Sequence, residues 1–435
     1  MIDILWAVGG LLFFIVGLAF SIGLHELGHM LPAKRFGVKV SQYMIGFGKT
    51  IWSRKVGDTE YGLKWIPLGG YIRMIGMLPP KNAGSKPATF MPAAVEAARE
   101  QSLSEIGEGE ERRTFYSIKS WQKLIVMMGG PFMNLILGTV ILVAVGSGIG
   151  QYQPNTTVAF VATCSPTARD VDCAKKLVPA PAELAGLMVG DRITAFDGKP
   201  VHWWSDVEPL LTNNATAPIE LTVLRNGVSQ QISLQPSMAY LPVLDANGNA
   251  VTGANGKAEY ALRPFIGIGR GYAHQPISVS ASLNVVGQEI VSTAKLVFTL
   301  PQQAISAVAQ LNPNSKRDPN GAISIVGIGQ IASQTASAQG ASLEDKFASQ
   351  LTMLGGLNLA LFVFNMLPLL PLDGGHVAGV IYGYCKRGFY RLRGKRFEGQ
   401  VDMARMIPIA NLAAAMLVLV SIVFVLRDFI NPIHF

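Results

Sequence analysis

Charged side chains are scarce in this sequence. Asp, Glu, Lys and Arg account for 15% of the 435 residues, and hydrophobic residues account for 49%. A soluble globular chain carries about a quarter charged residues, so this composition indicates a membrane protein with room for one soluble domain. The mean hydropathy of +0.33 agrees. The cations form no stripe interleaved with aromatic side chains, which argues against nucleic acid as a partner.

Cysteine is also rare, with three residues in the whole chain. Cys164 and Cys173 lie nine apart in a polar middle region, and Cys385 follows an apolar run, a spacing that matches no zinc-finger pattern. If the middle region is extracytoplasmic, Cys164 and Cys173 could form a disulfide, and the sequence leaves this open. The N-terminus lacks the basic segment of a secretory signal, and its apolar run is too long for one. We therefore interpret it as a retained span.

Long apolar runs, by contrast, are abundant. A helix needs about 20 apolar residues to cross a bilayer, and the runs that meet this requirement are Ile4–Met30, Leu124–Gly146, Leu351–Leu370 and Ile407–Leu426. Lys and Arg outnumber Asp and Glu by 15 to 8 in residues 30–123 and by 7 to 2 in residues 386–405. Cytoplasmic loops carry such an excess. Both termini are therefore expected to be extracytoplasmic.

These runs predict a polytopic α-helical membrane protein with four transmembrane helices. The β-prone runs Thr50–Val56 and Thr59–Trp65 predict a membrane-associated β-hairpin region, and the polar middle region predicts an extracytoplasmic α+β domain. Ile277–Leu300 is apolar at helical spacing but contains Gln288, Glu289 and Lys295, so an amphipathic helix at the membrane surface is favoured over a fifth span. The expected order is 1–36 first transmembrane helix, 37–78 β-hairpin region, 79–120 cytoplasmic charged loop, 121–149 second transmembrane helix, 150–272 extracytoplasmic domain, 273–348 amphipathic membrane-surface region, 349–385 third transmembrane helix, 386–405 basic cytoplasmic loop, and 406–435 fourth transmembrane helix with the C-terminus. Within the charged loop, residues 79–113 are expected to be flexible.

The polar middle region has a recognisable pattern of turns and strands. It contains Gly-Leu-x-x-Gly-Asp-x-Ile from Gly186, then Asp-Gly-x-x-Val from Asp197, and a helical stretch from Trp203 to Leu211. Two β-prone runs follow, joined by the turn dipeptide Asn226-Gly227. About a hundred residues of this region resemble a bacterial PDZ module. The resemblance implies one PDZ-like domain, which would act as a size filter or a docking module.

His25-Glu26-Leu27-Gly28-His29 stands at the end of the first apolar run. Ionisable side chains at such a position are expensive and usually functional. On a helix, two histidines four residues apart lie on one face, where both can bind Zn²⁺, and Glu26 between them can act on a metal-bound water. The motif alone also occurs by chance in soluble proteins, so a third ligand is needed to support a zinc site.

Asp373 is the best candidate for that third ligand. It lies at the end of the third apolar run with no neighbour in sequence to neutralise it. At ~1.5 Å per helical residue, Ile4 to His25 spans about 31 Å and Leu351 to Asp373 about 33 Å. Both helices run inwards, so the histidines and Asp373 are expected at a similar depth near the cytoplasmic side. His376, one turn further on, is an alternative ligand. A position that supports the ligands without binding the metal, or one that faces solvent, is favoured for it.

His-Glu-x-x-His in one span, with Asn365-x-x-Pro368 and Leu-Asp-Gly around Asp373 in a later one, resembles the site-2 protease family of intramembrane zinc metalloproteases, in its RseP-type bacterial branch. Gly130-Pro-x-x-Asn134 in the second span resembles another element of that family. The resemblance implies one Zn²⁺ per chain with His25, His29 and Asp373 as ligands and Glu26 as general base. It also implies substrate-binding roles for Asn365, Asn134 and Pro368, although Asn134 could equally serve helix packing.

The implied function is an intramembrane zinc endopeptidase that cleaves transmembrane segments of single-span proteins. Its partners would be the lipid bilayer of a bacterial plasma membrane and an upstream site-1-type protease, with trimmed anti-sigma factors as the usual substrates. The active site would face the cytoplasmic side. The alternative is a catalytically inactive PDZ-containing membrane scaffold or metal-binding protein. An inactive relative would be expected to lose Glu26 or a ligand, and this chain keeps all four residues.

Overall fold

In the computed structural model the chain forms two compact units. One unit comprises residues 1–148 and 278–435, and the other comprises Ile149–Ile277. The structure describes all residues except 1, 82–87, 89, 167–177, 216, 244–250, 252–257, 313–314, 316, 318–320, 339–340, 395–401 and 433–435. Cys173 falls outside the described residues. Cys164, its candidate partner, is disulfide-bonded, and Cys385 is an exposed free thiol.

The first unit begins with a long helix, a β-hairpin and two further helices. Their bounds are α1 Ile2–Arg35, β1 Val40–Val56, β2 Thr59–Met74, α2 Pro92–Ser104 and α3 Ser120–Ala144. Helix α1 ends where Gly37 adopts a positive φ of 83° and the Val38 amide donates to the Ala33 carbonyl, an ending for which glycine is the favoured residue. A π-helical turn, Val145–Ile149, follows α3.

The hairpin confirms the expected antiparallel pairing, with a geometry that creates an additional edge. Gln42–Ile45, in the first half of β1, pair twice, with Glu60–Leu63 on one side and Gly70–Arg73 on the other, because both strands bend. Residues 70–74 therefore form an outer segment of the sheet. Among the described residues, no other strand pairs with the second side of this segment.

The second unit is built on an antiparallel sheet. Its elements are β3 Gln151–Val161, α4 Pro181–Leu184, β4 Arg192–Phe196, β5 Lys199–Pro200, α5 Trp204–Asn213, β6 Ile219–Arg225, β7 Val228–Leu234, β8 Ser237–Pro242, β9 Tyr260–Phe265 and β10 Ile268–Gln275. The sheet order is β10-β3-β4-β6-β7, with β5 beside β4, and β8 pairs with β9 separately. The predicted Asn226-Gly227 turn joins β6 to β7, with positive φ at both residues. The core of the second unit has Phe196, Ile193 and Leu221 fully buried at its centre.

The remainder of the first unit is helical. Its elements are α6 Val279–Ala309, α7 Ile325–Ser337, α8 Leu343–Asn365, α9 Asp373–Leu392 and α10 Ile407–Ile430. Helix α7 packs directly on α1, because a Cβ at Gly10 would overlap the side chain of Ala336. The membrane-surface position predicted for residues 273–348 stays a prediction.

Four helices in the described residues are long and apolar enough to cross a membrane. They are Asp3–Arg35, Ser120–Ile149, Leu343–Asn365 and Met403–Ile430, at the four predicted positions. Helix α6 is not among them, as expected from the polar residues in its apolar face. The last span is the least packed of the four, with 6% of its most apolar window buried compared with 22–33% for the others.

The described part of residues 90–113 does not form the flexible loop that was predicted. Pro92–Ser104 is a helix, because Pro92 stands at its start and a run of strong helix formers such as Ala and Glu follows. The helix is anchored by Arg99, whose guanidinium donates to both carboxylate oxygens of Asp402 at 3.0 Å. Some of the charged residues in this segment therefore form ion pairs, instead of being solvated along a loop.

The third span also differs from its prediction. A single helix from Leu351 through Asp373 was expected, but α8 ends at Asn365 and Asp373 begins α9. Pro368 and Pro371 explain the break, because proline lacks an amide hydrogen and disfavours helical geometry in the residue before it. Asp373 is therefore not at the end of one continuous helix as predicted, although it does lie beside both histidines.

Candidate metal centre

Three side chains from two helices converge in the first unit. The Nε2 atoms of His25 and His29 are 3.2 Å apart, and Asp373 Oδ2 lies 3.4 Å from the first and 3.3 Å from the second. Among the described residues, these three form the only group of His, Cys, Asp or Glu arranged to hold a metal ion. The two histidines are buried, and the Asp373 side chain is 20% exposed.

The position of His29 depends on α3. Its Nδ1 hydrogen-bonds with the Val126 carbonyl at 2.7 Å, which fixes the ring and directs Nε2 towards His25 and Asp373. The helices approach closely enough for this bond because Gly28 faces Gly129. Gly130 then provides room for the imidazole, since a Cβ there would overlap the His29 ring.

Asp373 is presented by the tight turn between α8 and α9. It is the first residue of α9, so its side chain extends from the helix N-terminus towards α1. Gly374 and Gly375 follow because a Cβ at either would overlap the backbone of the turn at Leu367 or Leu370. Burial alone would raise the pKa of the Asp373 carboxyl, but hydrogen bonds with His25 and His29 hold that pKa well below its ordinary value.

Glu26 lies beside this cluster and is 8% exposed. Its carboxyl group interacts electrostatically with all three converging side chains and hydrogen-bonds with the backbone of Ile72. Strand β2 can come this close because Gly70 has no side chain, and a Cβ there would press against Glu26 and Ile22. The outer segment of the hairpin sheet thus lies next to the glutamate of the motif.

The converging atoms fit a zinc ion by both chemistry and spacing. Two imidazoles and one carboxylate, with a fourth position open, are a usual donor set for catalytic zinc. Tetrahedral bonds of ~2.0–2.1 Å require neighbouring donor atoms about 3.3 Å apart. The separations of 3.2–3.4 Å match this requirement.

The other predicted site residues are distributed differently. Asn134 lies on α3 one turn beyond Gly130, is 1% exposed, and neither atom of its side-chain amide has a hydrogen-bond partner in the described structure. Asn365 is the half-buried last residue of α8, and Pro368 is exposed in the turn. The candidate metal-binding group does not include His376, which lies one turn into α9.

Sequence reasoning missed the backbone contributions to this site. The Val126 carbonyl and the Ile72 backbone carry no motif, because every residue has the same main-chain groups. The glycines gave a usable signal, since Gly28 and Gly129-Gly130 stand in spans where a helix packing closely on another needs small residues. The Asp-Gly-Gly sequence at Asp373 was a similar signal for a tight turn.

Comparisons with known proteins place the chain in a family. The family model of peptidase family M50 matches residues 13–409. The chain is 27% identical over 440 residues to the zinc metalloprotease Rip1 of Mycobacterium tuberculosis, covering 98% of each chain. It is 26% identical over 387 residues to the metalloprotease MmpA of Caulobacter vibrioides, covering 86% of this chain and 87% of that relative. With zinc as its cofactor, the chain belongs to peptidase family M50, the site-2 protease family of membrane metalloendopeptidases.

Proposed function

We propose that this protein cleaves transmembrane segments of single-span membrane proteins, with His25, His29 and Asp373 as zinc ligands and Glu26 as general base. The observation that carries the proposal is the convergence of two Nε2 atoms and one carboxylate oxygen within 3.4 Å, next to a buried glutamate. These groups lie in helices long enough to span a membrane or directly after one. The same proposal places the site towards the cytoplasmic side and both termini outside.

Bound zinc would supply Lewis acidity that lowers the pKa of a water from ~15.7 towards ~7. The Glu26 carboxylate accepts a proton from the attacking water, and then delivers it to the amine that leaves when the peptide bond breaks. The hydrogen bond between His29 and the Val126 carbonyl keeps the His29 Nε2 atom directed towards His25 and Asp373, where the ion would bind. The Ile72 backbone hydrogen-bonds with the Glu26 carboxyl group and orients it.

A helical substrate must unwind before its peptide bond is accessible, because helical carbonyls are already hydrogen-bonded. We propose that the unwound segment pairs with residues 70–74 as an added strand. This segment has an unpaired second side in the described structure, and it adjoins Glu26 through Ile72. A cavity of about 270 Å³ lies along it, between Tyr71–Met74 and α2.

Polar groups near the site could receive the freed backbone of the substrate. Asn134 is suited to this role because its amide is buried and unpartnered in the described structure, an arrangement that costs stability unless a function retains it. Asn365 and Pro368, at the end of α8 and in the following turn, are proposed to contact the substrate as well. These two assignments depend on the family resemblance.

The second unit is proposed to be the PDZ-like domain, acting on the extracytoplasmic side as a size filter or docking module. Its features that support this are the α5 helix and the β6–β7 hairpin at the positions that the PDZ pattern predicts. The family resemblance further suggests anti-sigma factors as substrates, after an upstream site-1-type protease has trimmed them. The competing proposal, an inactive scaffold, would leave the retained Glu26 without a role.

The test compares wild type with Glu26→Gln, reconstituted in lipid with a designed single-span substrate. Glu26→Gln should keep one zinc per chain and lose at least about 100-fold in cleavage rate, the range for loss of a general base. The paired variants His25→Ala and Asp373→Ala should lose the zinc itself. Glu344→Gln, an exposed glutamate at the start of α8, is the matched control and should behave as wild type. Equal cleavage by Glu26→Gln and wild type would overturn the mechanism.

A further inference from the structure

The second half of α9 is largely exposed. Its large side chains recur at helical spacing on one side and are exposed, with Leu392 reaching 88%. The others in this exposed group are Ile381, Tyr382, Tyr384 and Phe389, between 42% and 56% exposed. The helix is not among those apolar enough to cross a membrane. It therefore presents an apolar stripe without being a span.

Cations border this stripe on both sides. Lys386 and Arg393 lie along one border, and Arg387 and Arg391 along the other. Three of them lie over aromatic rings of the stripe, with Lys386 5.9 Å from the ring centre of Tyr382, Arg387 5.0 Å from that of Tyr384 and Arg393 4.3 Å from that of Phe389. An apolar stripe between two rows of cations is typical of helices that lie in a membrane interface.

The contacts of residues 381–393 show where this part of α9 lies relative to the ends of the transmembrane helices. The Arg387 guanidinium donates to the Ser120 hydroxyl at 2.9 Å, and Ser120 is the first residue of the second span. The next residue, Trp121, is 47% exposed and packs edge-on against Phe36, just beyond the end of α1. Tryptophan is enriched where a span meets the headgroup region. The second half of α9 thus lies beside the start of the second span, at the same end of the spans as the C-terminus of α1.

We propose that the second half of α9, residues 381–393, binds the anionic headgroups of the membrane leaflet at this end of the spans. The aromatic and aliphatic stripe enters the leaflet at the boundary between headgroups and acyl chains. The guanidinium and ammonium groups that border the stripe contact lipid phosphates. A soluble acidic protein is a poorer fit, because it would contact the cations and leave the stripe in water. The proposal depends on the chain spanning a membrane and not on its catalytic activity.

Cys385 provides a native probe for this contact. It is an exposed free thiol within the stripe, and Cys164 is disulfide-bonded. The full chain is labelled at Cys385 with an environment-sensitive fluorophore and placed, one chain per particle, in lipid nanodiscs of phosphatidylcholine with or without about a third phosphatidylglycerol. Quenching by nitroxides attached to lipid headgroups then reports contact with the leaflet, and Cys385→Ser should abolish labelling.

We expect at least twofold stronger quenching in the anionic discs than in the neutral discs. Arg391→Gln with Arg393→Gln should remove most of this difference, whereas the control pair Arg54→Gln with Lys55→Gln removes the same charge from the exposed end of β1 and should retain it. Equal quenching in both kinds of disc, or equal effects of the two pairs, would overturn the proposal. So would a label that is shielded only when a soluble acidic polypeptide is added.

Discussion

Gly28 and Gly129 face each other where α1 and α3 cross, and a Cβ on either would overlap the backbone carbonyl of the other. This contact sets the separation of the two helices within one residue of the His29 imidazole. The bond between His29 and the Val126 carbonyl exists only at that separation, since the carbonyl belongs to the backbone of α3. The geometry of the proposed metal centre is therefore coupled to helix packing.

Gly129→Ala should reduce zinc occupancy and cleavage together, although no ligand is changed. The added methyl forces the helices apart at a cost of about 1–3 kcal/mol, and His29 loses the acceptor that orients it. Loss of such an orienting bond typically weakens metal binding about 10–100-fold. Gly9→Ala in the first span, α1, is the control, because nothing lies within 4 Å of its added Cβ. Zinc titration of both variants is the measurement, and wild-type affinity in Gly129→Ala would contradict the coupling.

Asn134→Leu should leave the protein as stable as wild type, or more stable, while cleavage falls. Removing a buried amide with no partner relieves a desolvation penalty of about 1–3 kcal/mol, and loss of a substrate hydrogen bond slows cleavage about tenfold. Asn358→Leu is the contrast, because the Asn358 amide donates to Ser21 Oγ at 2.9 Å and to the Leu354 carbonyl. Thermal unfolding in detergent measures the stability of both variants, and cleavage rates measure their activity. A destabilised Asn134→Leu would indicate a packing role.

Asp428→Asn should destabilise the protein without changing the metal centre. Asp428 is fully buried near the end of α10 and pairs with Arg427 at 2.8 Å and Arg317 at 2.7 Å. Neutralising Asp428 leaves two largely buried guanidinium groups without an opposite charge. The free energy of unfolding should fall by about 3–5 kcal/mol as a result. Glu344→Gln removes an exposed carboxylate and should change stability little. Unfolding by titration with sodium dodecyl sulfate measures both, and similar stabilities would contradict the prediction.

Acid should destabilise the second unit through Asp191. The Arg225 guanidinium, at 2.7 and 2.6 Å from the two carboxylate oxygens, holds the pKa of Asp191 below its ordinary value. Because the folded pKa is lower than the unfolded pKa of ~3.9, the stabilisation is present above about pH 4 and is lost as the pH falls further. Hydrogen exchange in Ile219–Arg225, corrected for its intrinsic pH dependence, should accelerate below pH 4. In Asp191→Asn it should already be fast at pH 7.

The features that sequence predicted well depend on local chemistry. The four spans follow from runs without charge, since a bilayer excludes charged side chains wherever the chain folds. His25 and His29 share a face because four residues make about one helical turn. The Asn226-Gly227 turn follows from the ease with which these residues adopt positive φ. Pro92–Ser104 was missed although its helix propensity is local, because its charges were taken to indicate solvent exposure.

The sequence by itself determined which groups are available for chemistry: two histidines and a glutamate on one helix face, an aspartate after a proline-rich turn, and four apolar spans. Tertiary structure decided the rest. It brings Asp373 within 3.4 Å of both histidines although 344 or more positions separate them in the chain. It also supplies the Val126 carbonyl and the Ile72 backbone, which no motif distinguishes. Main-chain groups are identical at every position, so only the packing of α1 against α3 and the hairpin selects the ones that act.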